Sequence, residues 1–353
     1  MIHCGHAFVQ IFSAYIAMSA TSTPSAKRKR TDAVSPKMPV PIRRSVSEWG
    51  WMDDGNIVLQ VESTHFRVNR GILALHSVEL GNLFSAVPNE PKVEGCPVAT
   101  LSDSAEDWER FLRLLYDPFN ETNQADFGTI AAMLRLGRKY NIKAAQTNAL
   151  RRIQSEFPTN FEAWNHGRDG FTMINDYYGL GIDLLNLAYE LGINSSIPTI
   201  GYYCLHSYKL EVILTTATSE RDAGYCDEVI LPQHVKRAMA FAFGRIMNFQ
   251  HEVYAWLEDD TVIPSDSCRA HTKLTCTRAR VEIRRGLSWN ERTDSVRCYA
   301  LDVWDEDWNK NFCHGCAKAG KKAFDASCAR AWEALPTFFG LSEWGDLKDT
   351  KYE

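Results

Sequence analysis

The sequence predicts an α+β chain: a small mixed sheet with a helical layer, then an α-helical region, then an irregular cysteine-rich C-terminal segment. Three observations carry this. Apolar residues alternate with period two across 57–61 and again across 64–68, the pattern of paired strands. Beyond them the period lengthens to that of a helix, with Leu80, Leu83 and Phe84 at i, i+3 and i+4. Residues 258–353 then hold six of the ten cysteines among short segments without a long period. A chain of 353 residues, 45 % hydrophobic, has material for two or three cores.

Residues 1–48 read as a disordered basic N-terminal arm. The window MIHCGHAFVQIFSAYIA at 1–17 lacks the Lys/Arg start of a signal peptide and is interrupted by Gln10, with His3, Gly5, His6 and Ser13 spoiling a membrane span. The sequence Ala17-Met18-Ser19 keeps secretion open as an alternative. Met18 also reads as an ordinary cytosolic start, with 1–17 an upstream extension. Residues 18–48 are rich in Ser, Thr, Pro, Lys and Arg and carry a net charge of +5, so they cannot repay the entropy of ordering. KRKR at 27–30 is either a nuclear-import cluster or a solvated tail. These features point to an intracellular protein of nucleus or cytoplasm, with its thiols reduced. The net charge is −5, leaving −10 on 49–353. A basic arm on an acidic body does not suit direct contact with nucleic acid.

From 49 to 158 the elements follow closely. Asp53-Asp54-Gly55 is a turn, and Glu62-Ser63 joins the two strands into a hairpin. A helical turn holds Ile72, Leu73 and Leu75, and Ser77 caps the next helix. A polar loop at 88–95 leads to a short strand at 97–101. In SDSAEDWERFLRLLYDP, Asp103 or Ser104 is the N-cap and Glu106 or Asp107 the capping-box partner, while Trp108, Phe111, Leu112 and Leu115 form the apolar face and Pro118 stops the helix. Phe127, Ile130, Leu134 and Tyr140 mark another helix, broken at Asn141, and 145–153 a further one. LLNLAYELGI at 184–193 echoes MLRLGRKYNI at 133–142, through either a repeat or a shared packing demand. Residues 159–257 read as an α-helical extension, and 258–353 as a Cys/Trp-rich C-terminal region.

The sharpest chemistry is in the cysteines. Cys313-His314-Gly315-Cys316 is a C-x-x-C with a glycine that permits a tight chelating turn. Cys268 and Cys276 form a wider upstream pair. Together, Cys268, Cys276, Cys313 and Cys316 are candidate ligands of a structural Zn²⁺, with Cys298, Cys328, His271 and His314 in reserve; metal binding would help an irregular tail to fold. The alternative is a set of small buried thiols. The run from Asp305 to Asn311 starts like a calcium loop, but Lys310 stands where glycine is needed and Cys316 where the bidentate Glu belongs, so it reads as a solvated acidic turn. Arg278, Arg280, Arg284 and Arg285 read as a helical face that is solvated or paired with that turn. No nucleotide loop, HExxH or G-x-S-x-G motif occurs, and no small-molecule substrate or catalytic group is expected.

HFRVNRGILALHSVELGNLF at 65–84, together with Asp54-Gly55, the strand at 97–101, SAEDWERFLRLLYD at 104–117 and MLRLGRKYNI at 133–142, resembles the BTB/POZ domain. Asn69 stands where that family usually has His, and the 88–95 loop is long. The whole layout, ending in LP-x-x-FGL-x-x-W at 335–344, resembles BTB proteins of the fungal type. The resemblance implies a non-catalytic protein-interaction module, with protein partners and a homodimer formed through this domain. It leaves nuclear transcription regulator and cullin ubiquitin ligase substrate adaptor as alternatives. The apolar-x-Glu element of cullin binders is not evident, since Pro88 holds the apolar position before Glu90.

Overall fold

The computed structural model describes residues 45–88, 91–118, 123–166, 170–215, 217–221, 225–229, 231–269, 272–287 and 297–350. Residues 1–44 of the basic arm, KRKR among them, and His271 and Glu90 lie outside the described residues. The expected hairpin is present: β2 (Ile57–Val61) pairs antiparallel with β3 (Thr64–Val68), Ile57 opposite Val68 and Val61 opposite Thr64. Its two-residue turn is made without glycine, with Glu62 itself at φ 52°. β5 (Cys96–Leu101) adds parallel to β2, and the polar loop before it holds a two-residue strand, β4 (Lys92–Val93), antiparallel to β5.

One strand lies where the sequence suggested the end of an arm. β1 (Ser45–Trp51) pairs parallel with β3 and completes the sheet order β1-β3-β2-β5-β4. Its close approach depends on Gly50, where an added Cβ would lie 2.4 Å from the Phe66 ring.

The helical layer begins with α1 (Arg70–His76) and α2 (Val78–Ala86). It continues through α3 (Ala105–Tyr116), α4 (Phe127–Lys139) and α5 (Lys143–Glu156). Ser104 is the α3 cap, its Oγ accepting from the Asp107 amide at 3.4 Å. Trp108, Phe111 and Leu112 are buried as the spacing requires, and Asn141 ends α4 in the left-handed region at φ 51°. Asp103 gathers the Trp108 indole N–H (2.9 Å), the Tyr140 hydroxyl and the Lys139 ammonium on one carboxylate, binding α3 to α4.

Next come α6 (Phe161–His166), α7 (Leu180–Leu191), α8 (Ile197–Ser207) and α9 (Leu210–Leu214), then an antiparallel ribbon of β6 (Ala217–Arg221) and β7 (Tyr225–Val229), then α10 (Gln233–Val253). The two helices whose ends echo each other in sequence, α4 and α7, lie against one another, with Arg135 gripping Glu190 through Nε and Nη2 at 2.8 and 2.9 Å.

The C-terminal region is not the irregular segment expected. It contains α11 (Lys273–Gly286) and a 25-residue helix, α12 (His314–Phe338). The buried face of α12 runs Cys316, Gly320, Phe324, Cys328, Trp332 and Leu335. With Ser327 and Ala331 also buried, five of the ten buried positions of α12 are Cys, Gly, Ser or Ala, so hydrophobic periodicity barely registers. The small residues have a packing reason: a Cβ on Gly320 would press on Trp256 and Trp304 at 3.0 and 3.1 Å. Those two rings join Trp308 and Phe324 in one cluster, with centroids 5.1 Å apart for Trp256–Trp304 and 4.9 Å for Trp304–Trp308. The last described residues return to the α7–α8 corner. Thr350 N–H donates to Gly192 O at 2.8 Å, and Asp349 accepts from Ser195 N–H and Oγ at 2.7 and 3.0 Å. Among the described residues no helix is long and apolar enough to cross a membrane.

Candidate interaction corner and metal centre

Two features of the described surface and core invite function. The first is the α1–α2 corner. The abrupt change from strand to helix at Asn69 is held from three sides. The Asn69 amide donates to the Tyr116 hydroxyl at 3.0 Å, its side chain donates to Asp54 at 3.2 Å, and the Arg70 amide donates to Asn56 at 2.9 Å. Ser77 fixes the second bend. Its Oγ accepts from the Leu80 amide at 3.0 Å and donates to the buried Tyr140 carbonyl at 2.5 Å. Leu73, Leu80 and Phe84 therefore point inward. Ile72, Leu75 and Val78 point out, 36, 81 and 72 % exposed. The sequence reading placed Ile72 and Leu75 in the same apolar turn as Leu73. The available signal was spacing within each helix: Leu75 lies about 200° around α1 from Leu73, and Val78 about 200° around α2 from Leu80. Rigid helices carrying exposed aliphatic side chains are a surface for another chain.

The second feature is the thiol cluster. Cys268 lies in the loop before α11, Cys276 on α11, Cys313 at the N-cap of α12 and Cys316 in its first turn. The four sulfurs lie within 4.8 Å of one another, and those of Cys313 and Cys268 are 3.7 Å apart. A tetrahedral Zn²⁺ with bonds of about 2.3 Å requires sulfurs about 3.8 Å apart. Gly315 sits in the first turn of α12 rather than in a glycine-dependent turn, and its role is close packing, because a Cβ there would lie 2.2 Å from Ser267 Oγ. Cys96, Cys204, Cys268, Cys276, Cys298, Cys313, Cys316 and Cys328 are all free thiols.

Donors surround the sulfurs. The Cys313 amide points to Cys276 Sγ and the Ser265 amide to Cys316 Sγ, both at 3.4 Å, and Thr272 Oγ1 is 3.4 Å from Cys268 Sγ. Such bonds favour thiolate over thiol. Burial pushes Cys276 up to about 12 and raises Cys316. At Cys313 burial acts in the same direction, but the Cys316 amide and the neighbouring thiols outweigh it and bring the group down to about 7. The sequence pattern did not reveal Ser265 or Thr272, which reach the sulfurs only through the folding of the loop.

The reserve ligands lie elsewhere. Cys298 is buried against α8, where its carbonyl accepts from His206, and Cys328 faces the Asp302 carbonyl. Among the described residues no other group of His, Cys, Asp or Glu converges in this way, His314 included. The acidic run forms a short 3₁₀ turn, Glu306–Lys310, capped by Asp305. The four arginines of α11 do not share one face. Arg280 is buried, donating to the Ile263 carbonyl and Asp260, both at 2.6 Å, while Arg284 pairs with Glu258 at 2.7 Å rather than with the acidic turn. Arg278 and Arg285 have no ion-pair partner among the described residues.

Comparison with known proteins places a BTB/POZ domain at residues 53–156. The sheet of β2, β3 and β5 with α1–α5 is that domain, followed by further helices. No curated protein matches the chain.

Proposed function

We propose that this protein is a non-catalytic adaptor or scaffold that self-associates through the α1–α2 corner of its BTB/POZ domain and binds other proteins. A BTB/POZ domain is a protein-interaction domain. The observation that carries the self-association is the exposure of Leu75 and Val78 on helices pinned by Asn69 and Ser77. Full burial of each would contribute about 1.5–3 kcal/mol, so a symmetric contact using both copies of Ile72, Leu75 and Val78 offsets the cost of association. In this reading residues 49–158 make the contact, 159–257 extend it as helices, and 258–353 form a tail stapled by a structural Zn²⁺ on Cys268, Cys276, Cys313 and Cys316, a layout similar to that of BTB proteins of the fungal type. Sedimentation of the full chain tests the contact. Wild type should associate at micromolar concentration and the Leu75→Asp/Val78→Asp chain should form a smaller species at the same concentration; a wild type that stays monomeric at tens of micromolar, or a variant that sediments as wild type does, refutes it.

A further inference from the structure

We propose that the outer stripe of α11 docks on the acidic turn at 303–307 of a second copy of this chain, a contact separate from the α1–α2 corner. At about 100° per residue, Leu274, Arg278, Val281 and Arg285 fall within about 60° of helical arc. Cys276, Ala279, Arg280 and Ile283, on the opposite side, are the buried residues of α11. Leu274 is 63 % and Val281 37 % exposed. The stripe thus alternates aliphatic and guanidinium groups, and both guanidiniums lack an ion-pair partner among the described residues.

The complementary surface is on the same chain. Val303 is 52 % exposed and leads directly into Asp305, Glu306 and Asp307, all exposed. The turn is rigid because Trp304 and Trp308, on either side of these carboxylates, pack against Trp256. α11 also packs against the short helix that carries Trp256. Stripe and turn are therefore both held in fixed shape around one core, yet no ion pair joins them within one copy among the described residues. A second copy brings Val303 to Leu274 and Val281, and Asp305 and Glu306 to Arg278 and Arg285.

Other occupants fit less well. Nucleic-acid binding rests on phosphate neutralisation by many cations, whereas this stripe offers two and spends its other positions on aliphatic groups that a phosphate backbone does not use. A membrane surface would need a broad apolar face, and the buried side of α11 is already covered by protein. Because stripe and turn are different patches, this contact joined to the corner contact links more than two chains.

Sedimentation velocity on the full chain carrying Leu75→Asp/Val78→Asp, which removes the corner, isolates this contact. It should still show concentration-dependent self-association. Arg278→Glu/Arg285→Glu and, separately, Asp305→Lys/Glu306→Lys should each weaken it by about tenfold or more. Mixing the two charge-reversed chains should restore a pair, because the unaltered stripe of one meets the unaltered turn of the other and the reversed stripe meets the reversed turn; this rescue also shows that both variants are folded. The proposal is overturned if the corner-blocked chain is monomeric up to about 100 μM, or if charge reversal leaves its association unchanged. Failure of the corner reading would appear separately, as identical sedimentation of wild type and the Leu75→Asp/Val78→Asp chain.

Discussion

Removing the metal ligands should release α11 while leaving the rest of the chain folded. α11 buries only Cys276, Ala279, Arg280 and Ile283, so Ile283 is its single large aliphatic anchor, worth about 1.5–3 kcal/mol. Ordering the backbone costs roughly 1–2 kcal/mol per residue, and helices of this length are marginal alone. Structural Zn²⁺ sites supply about 10–16 kcal/mol at neutral pH, several times what Ile283 contributes. Hydrogen exchange followed by mass spectrometry reads the outcome. With Cys276→Ser, or after chelation under reducing conditions, the amides of Lys273–Gly286 should lose protection, while those around Phe324 and Trp332 in α12 keep theirs. Metal analysis of the wild type should give one zinc per chain. Acidification should have the same effect as chelation. Zn²⁺ displaces thiol protons, and once pH falls below about 7 the Cys313 sulfur is also protonated, so a further proton competes and affinity drops more steeply. Full protection of α11 in a metal-free chain would refute this account.

Three further substitutions test the scaffold. Ser77→Ala removes both the α2 cap and the donor to the buried Tyr140 carbonyl; urea unfolding should show a loss of about 1–3 kcal/mol. Gly50→Ala places a Cβ against Phe66 and should cost about 1–3 kcal/mol by the same measurement; an unchanged midpoint would show that β1 does not pack as described. Burial raises the carboxyl of Asp107, more than Arg135 lowers it. A raised acid favours folding fully below its unfolded value of about 3.9 and loses that contribution as pH rises through the folded value, so its charge is a cost at pH 7. Asp107→Asn should therefore keep or raise the thermal midpoint at pH 7, with the advantage shrinking towards pH 4; a clear drop at pH 7 would show that the Arg135 pair dominates.

The BTB/POZ unit was legible because each element carries its own local signal. Ile57, Leu59, Val61, Phe66 and Val68 alternate, Ser104 and Ser77 sit at caps, and Trp108, Phe111 and Leu112 share a helical face. β1 was not legible because its pairing rests on one glycine letting a phenylalanine approach, a contact between residues 50 and 66 that no local period records. Most of α12 was not legible because Cys316, Gly320 and Cys328 occupy positions where a periodicity reading looks for Leu or Ile. The four thiols were found from spacing, although the Cys268/Cys276 pair looks too wide for one chelating loop. It is wide because one member comes from a loop and the other from a helix. Arg280 was grouped with its neighbours by sequence, and only the folded loop shows that it turns inward to Ile263 and Asp260.

The strap from Asp349 and Thr350 to the α7–α8 corner spans 154 residues between Ser195 and Asp349. At roughly 5–20 residues per second of synthesis, that corner waits roughly 8–30 s for its closing contacts. A nascent chain must therefore carry an open helical pair for nearly half of its time on the ribosome, and slowed translation of residues 196–350 should lengthen its exposure to chaperones and proteases.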